Sequence, residues 1–399
     1  MSEKIKAIFY AYSSNALDHL APYAVMCRHK NIPCELIYGE DFIKFKLTPR
    51  NNIIKILKDN NITTFKVTNF EKQGILQAIF SFIWFFANII VNSKLVPIFF
   101  KNKTKSLINK IFNYVDGNQL GKNIAKKLIK DNEKVFIFID AWSKNKKIQN
   151  SFLSYIKGKA PIISVGHYPW HFHHTPSITE PSFCEDIVLA SNQWEAEAKS
   201  FFKKKEITGT LRFSKKWLTI LDEYTENKSF DKSEKKNVLI LGHTPTHTSD
   251  WKRMFDLFMR LSERKDINLS IVPHTRGMSN MEPPSKLKSI WDKTSSLDVA
   301  VKKSDIVLFW VSSGIFEAVL RNKKVFYLSF LSKIDGEFIW QEEASSNIII
   351  KNEIELFNAL DNYDKNQIIE NQCFEKIIWP KGDPWTNVSN FLNKIFNLN

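Results

Sequence analysis

Short apolar runs alternate along the chain with longer segments whose apolar positions recur at helical spacing. KAIFYAY (6–12) predicts a first strand, ALDHLAPYAVMCRHK (16–30) the helix after it, and CELIYG (34–39) a second strand. KVFIFID (134–140), PIISVG (161–166) and DIVLAS (186–191) repeat the strand pattern, and ITGTLRF (207–213) reads as the last strand of this half. DEYTENKSFDKSEKK (222–236) has almost no apolar content and is the expected linker between domains. Strand-like runs resume at NVLILG (237–242), NLSIVPH (268–274), DIVLFW (305–310) and KVFYLSF (324–330), and NVSNFLNKIFNLN closes the chain at helical spacing. Strands alternating with helices predict an α/β protein of two Rossmann-like, doubly wound domains. The expected division is 1–221, a linker at 222–236, 237–377, and a closing helix at 378–399.

One stretch breaks the alternation. GILQAIFSFIWFFANIIVNSKLVPIFF (74–100) carries one charge, Lys94, and residues 101–130 carry eight lysines against one acid, Asp116. Three readings fit the segment 74–130. It lies in a membrane interface with its lysines on anionic headgroups, it packs as a buried helix with an amphipathic neighbour, or it spans the bilayer. A span would divide the first domain between two compartments.

Composition narrows the partners. The 399 residues suffice for two full cores, and 43% hydrophobic with 25% charged residues is a globular balance. A net charge of +15 points to an anionic partner: nucleotide phosphates, nucleic acid or an anionic membrane surface. Cys27, Cys34, Cys184 and Cys373 are scattered without a CxxC pair, so neither a disulfide framework nor a zinc knuckle is expected. The N-terminal stretch has no apolar region ending in a small-residue cleavage site. The expected location is the cytoplasm, peripheral at the inner face of the cell membrane.

The richest local chemistry is in SDIVLFWVSSGIFEAVLRNKKVFYL (304–328), a strand, a turn holding Ser312, Ser313 and Gly314, and a helix from about Ile315. Ligands in such sheets sit beyond the carboxyl ends of strands, where a helix N-terminus offers N–H groups to a phosphate. Ser312 and Ser313 add hydroxyl donors, and Glu317 is placed to accept from ribose hydroxyls; ordinary helix capping by Ser and Glu accounts for the same residues. Two further strand ends bring donors to the same half: His274 and Arg276 in LSIVPHTRGM, and His243, Thr244, Thr246 and His247 in LILGHTPTHTSDW. Together they predict an anion site.

These motifs resemble the GT-B class of nucleotide-dependent transferases, nearest to the CDP-glycerol glycerophosphotransferase family of teichoic-acid and capsule polymerases. FHHTP (172–176) is similar to that family's WHGTP-like motif, PHT (273–275) to its PHP-like motif, and WVSSGIFE (310–317) to its DYSSxxFD-like motif. His174 stands in place of glycine, Trp310–Val311 in place of Asp–Tyr, and Thr275 in place of the second proline. The resemblance implies two domains facing a cleft, with acceptor on the first and nucleotide on the second. It implies a sugar or polyol phosphate moved from a CDP, CMP or UDP donor to a cell-surface glycan or lipid-linked acceptor. Sialyl- and Kdo-type transferases use comparable His and Ser-Ser motifs, so a sugar donor fits equally.

SVGHYPWHFHHTPS (164–177) holds His167, His171, His173 and His174 of the chain's nine histidines. No acid follows in sequence until Glu180, which disfavours a metal site. A neutral imidazole can instead take a proton from an acceptor hydroxyl. The resemblance makes His173 the candidate base, with His174 and His167 as alternates. Asp140, ending a strand in the same half, orients a histidine or serves as base itself. No cofactor is expected beyond the nucleotide donor as substrate, and nucleic acid is not an expected partner. The rivals are a nucleotide-sugar 2-epimerase of the same fold and, on charge alone, a nucleic-acid binder without a recognisable module.

Overall fold

The computed structural model describes residues 4–39, 51–67, 117–130, 133–140, 147–166, 185–199, 204–225, 234–242, 250–273, 283–292, 296–344, 347–364 and 372–398, with isolated positions 86, 97, 100, 103, 104, 202 and 248. In chain order the first half holds β1 (Lys4–Ala11), α1 (Ser14–His29), β2 (Cys34–Tyr38), α2 (Asn51–Asp59) and β3 (Thr63–Lys66). It continues with α3 (Gly117–Leu128), β4 (Glu133–Ile139), α4 (Lys147–Ile156), β5 (Ile162–Val165), β6 (Ile187–Ala190), α5 (Gln193–Ala198), β7 (Lys205–Ile207) and α6 (Lys215–Tyr224). The second half holds β8 (Lys236–Leu241), α7 (Trp251–Ser262), β9 (Ile267–Val272), α8 (Leu297–Lys303), β10 (Ile306–Phe309), α9 (Ile315–Leu320), β11 (Lys324–Leu328) and β12 (Ile349–Ile350). It ends with α10 (Glu353–Asp361), α11 (Gln372–Ile378) and α12 (Pro384–Phe396).

Among the described residues the strands form two parallel sheets, ordered β3-β2-β1-β4-β5-β6-β7 and β12-β11-β10-β8-β9. Each is Rossmann-like and covered by helices, so its central strands are buried on both faces. In β1 the alternation is explicit. Ala7, Phe9 and Ala11 enter a core with Tyr23, Phe138 and Trp217, while Ile8 and Tyr10 enter the opposite one with Ile137 and Phe152. Phe9 stacks on Phe138 at 4.8 Å. A separate core, running from Phe213 through Trp310 and Tyr327 to Ile378, fills the second half.

Local signals explain the helices. Asp250 accepts from the Arg253 amide at 3.0 Å to cap α7, which buries Met254, Leu257, Phe258 and Leu261 on one face. Asp383 caps α12, Pro384 opens it, and Asn397 closes it in the left-handed region at φ 51°. The last helix returns to the first domain: Val388, Phe391, Leu392 and Phe396 join the core of Phe9, and Phe396 meets Phe136 edge-on at 4.8 Å.

Four segments differ from the sequence expectation. Residues 207–213 are not one strand, because Gly209 takes φ 78° and turns the chain; Leu211–Phe213 then form a 3-10 turn. Helix α6 runs to Tyr224, inside the expected linker. β3, TTFK, is not an apolar run and stays partly exposed, and β12 has only two residues, so neither was expected. No helix among the described residues is long and apolar enough to cross a membrane. Most of segment 74–116 lies outside the described residues; Phe86 and Phe100 within it are exposed.

Candidate functional site

Strand order reverses between β1 and β4 in the first sheet and between β8 and β10 in the second. The crevice at the carboxyl ends of such a pair is where open α/β sheets receive ligands. Asp140 follows β4 at the first reversal, and Trp310–Gly314 follow β10 at the second.

At the second reversal, Trp310 is fully buried, and its indole N–H donates to Thr248 Oγ1 at 3.2 Å. Thr248 also bridges Ser332, beyond β11, so one tryptophan gathers the loops following β8, β10 and β11. Trp310 thus ties the loop after β10 to that after β8. Gly314 lets the turn close on α8, since a Cβ there would lie 2.9 Å from Leu297 Cδ2. Ser312 Oγ accepts from the Gly314 amide at 3.2 Å, and Ser313 is exposed.

The hydrogen bonds around this turn bear on two expectations. The amides of Ile315, Phe316 and Glu317 donate to the carbonyls of Ser312, Ser313 and Gly314 at 3.2, 3.3 and 3.2 Å. The opening of α9 therefore offers hydroxyls rather than free helical N–H groups. Glu317, expected at ribose, is buried, and its Oε1 accepts from Arg212 Nη2 at 2.6 Å. Its Oε1 is thus turned to the 3-10 turn after β7.

At the first reversal, Asp140 is 1% exposed and lies within electrostatic reach of Tyr23. Burial pushes the Tyr23 hydroxyl well above its ordinary range, the Leu211 backbone opposes this, and the Glu195 and Asp140 carboxylates add to it. Glu195 is the residue that the sequence reading missed. Burial acts to raise its pKa, but Lys199 at 2.7 Å and the Ser191 amide donating to Oε2 at 2.6 Å outweigh it, holding the carboxyl below the usual range. The available signal was the capping pattern NQWE, in which Asn192 Oδ1 accepts from the Glu195 amide at 3.0 Å. Gly166, just after β5, approaches so closely that a Cβ there would lie 3.2 Å from Glu195 Oε2.

His167, His171, His173 and His174 lie outside the described residues, as do His243, Thr244, Thr246, His247, His274 and Arg276. The described chain reaches the carboxyl ends of β5, β8 and β9 at Gly166, Gly242 and Pro273, immediately before these segments. Among the described residues, no group of three or more His, Cys, Asp or Glu converges as metal ligands would. A groove of about 670 Å³ lined by Lys324, Phe326, Lys351 and Tyr363 includes the amino end of β11, away from both reversals.

No protein-family model matches the chain, and no curated protein sequence matches it. Solved structures do. The UDP-GlcNAc 2-epimerase of Methanocaldococcus jannaschii superposes with TM-score 0.54 at 11% identity, covering 99% of this chain and 100% of that one. A putative UDP-N-acetylglucosamine 2-epimerase of Listeria monocytogenes gives 0.54 at 11%, covering 100% and 98%. The wall teichoic acid polymerase TagF, soaked with CDPG, gives 0.52 at 13%, covering 100% of this chain and 88% of that one. The chain thus has the two-domain GT-B fold that these proteins share.

Proposed function

We propose that this protein is a GT-B transferase that moves a sugar or polyol phosphate from a nucleotide-activated donor to a glycan or lipid-linked acceptor. The observation that carries the reading is the pair of hydroxyls, Ser312 and Ser313, at the strand-order reversal of the second sheet. Segments bearing Thr244, His274 and Arg276 follow the neighbouring strands. In this reading the two serines, the Gly314 turn, Thr244, His274 and Arg276 hold the donor phosphates and stabilise charge on the leaving nucleotide. The acceptor oxygen attacks the transferred group, the bond to the nucleotide breaks, and the acceptor proton passes to a base. His173 is that base, with His174 or Asp140 as the alternative acceptor of the proton. No cofactor takes part. The lysines of 101–130, with exposed Phe86 and Phe100, suit a peripheral site on the anionic inner face of the membrane.

A second reading is a nucleotide-sugar 2-epimerase, favoured by the end-to-end match to two such structures. Thermal stabilisation by CDP, UDP, CMP and GDP tests the common part, because a ligand bound only by the folded state raises its melting point. No shift with any of them defeats both readings. Incubation with the matching donor alone separates them: an epimerised donor supports the second, and an unchanged donor consumed only with acceptor supports the first.

A further inference from the structure

The Glu317 carboxylate belongs to a chain of charged side chains that runs through both domains. Arg212, in the turn between β7 and α6, reaches Asp18 of α1 at 3.9 Å on one side and Glu317 of α9 at 2.6 Å on the other. Glu317 Oε2 lies 3.9 Å from Arg321, which donates to Asp222 of α6 at 2.9 Å. Asp18, Arg212 and Asp222 come from the first half, and Glu317 and Arg321 from the second. All but Asp222 are nine-tenths or more buried at the side chain. Nothing in either core requires these charges, and burying them is costly unless they stay paired. A bidentate-capable guanidinium held between two carboxylates also fixes direction, which an apolar contact does not.

The placement matters because α9 is the helix that the Ser312–Gly314 turn opens into. We infer that Arg212 is a positioning residue: through Glu317 it sets the Ser312–Ser313 loop of the second domain in register with the strand ends of the first. This inference rests on the proposed reading of that loop as the donor-phosphate site. Glu317 acts here as a strut and not as a ribose ligand. A second tie, Asp298 of α8 accepting from Asn52 at 2.9 Å and from Thr225 at 3.1 Å, keeps the halves joined when the strut is cut. Loss of the strut therefore loosens an angle without separating the domains.

The test uses the full chain with spin labels at Lys126→Cys on α3 and Lys252→Cys on α7, both exposed positions, and Cys184→Ser to limit labelling elsewhere. Dipolar spectroscopy reads the distance distribution between domains. Arg212→Met should broaden it and lower the melting temperature, because the buried carboxylates of Asp18 and Glu317 lose the guanidinium between them. Arg212→Met combined with Glu317→Met removes both charges. It should recover part of the lost melting temperature, Asp18 still lacking Arg212, while the distribution stays broad, and it supplies the test if the single variant does not fold. A distribution as narrow as wild type in the double variant overturns the inference. Calorimetry with CDP and UDP forms the second arm. Affinity of the double variant within threefold of wild type supports the strut, whereas a loss of tenfold or more returns Glu317 to the ribose and overturns it. If neither nucleotide binds the wild-type protein, the proposed function falls, and the distance measurement still decides the strut.

Discussion

At the reversal of the first sheet, Asp140 follows β4, and its carboxylate and that of Glu195 both act on Tyr23, all three of them fully or almost fully buried. At the reversal of the second, half-buried Ser312 and exposed Ser313 follow β10 over the floor made by Trp310. The two sheets share parallel strands and helical cover but end in opposite chemistry. Charge kept out of water needs fixed partners, as Glu195 has in Lys199 and the Ser191 amide. Hydroxyls near the surface cost little to leave open and can turn to meet an anion. In the proposed reading, this difference suits proton handling in the first domain and phosphate binding in the second.

The largest effect should come from breaking the first side alone. His173→Ala should lower turnover by roughly 10²–10⁴-fold, the range of a lost general base, and leave nucleotide affinity nearly intact. The acidic limb of the pH–rate profile should vanish with it. Asp140→Asn should give the larger loss if the base is Asp140, and equal loss of nucleotide affinity in either variant would dissolve the comparison.

Next in size is a stability effect confined to the first domain. Glu195→Ala should cost about 1.5–3 kcal/mol, the value of hydrogen bonds to a buried charged group, read from urea unfolding. The folded pKa of Glu195 is depressed, so its contribution is fully present above the unfolded value of about 4.3 and is lost as pH falls through the lower folded value. The melting-temperature gap between wild type and Glu195→Gln should thus close as pH drops below about 4. A gap that persists at lower pH would show that the ionised form is not what the site stabilises.

On the second side, Ser312→Ala with Ser313→Ala should weaken nucleotide binding by about 1–3 kcal/mol, as charge-assisted hydrogen bonds do. The melting temperature should stay at the wild-type value, because Ser312 accepts one amide hydrogen bond that the turn can hold without it. Undiminished affinity would remove the phosphate role from the second reversal. Smallest, and outside the comparison itself, is vesicle flotation: binding to anionic lipid that falls with added salt assigns it to the lysines after residue 100. Equal flotation on neutral vesicles would assign it to the apolar run instead.

Much of the fold was legible in the chain. Buried parallel strands read as continuous apolar runs, so IFYA in β1, VFIFI in β4 and IVLF in β10 stand out from their surroundings. The final helix declared itself by apolar spacing and by Asp383 and Pro384 at its start. Ser312 and Ser313 were legible because a polar turn directly follows a buried strand. Other features arise only when distant segments meet. The apolar face of the closing helix did not reveal that it would return to cover the first core. Gly209 looked like a residue within a strand, and only its positive φ, with Pro384 packed against it, shows a corner. Glu317 looked like a capping or ligand carboxylate until folding brought Arg212 to it across more than a hundred residues. Local pattern determines which backbone segments must be buried, because apolar area and hydrogen-bond periodicity are properties of neighbours in sequence. Which charge meets which is decided by tertiary structure, because electrostatic partners are chosen by proximity in space.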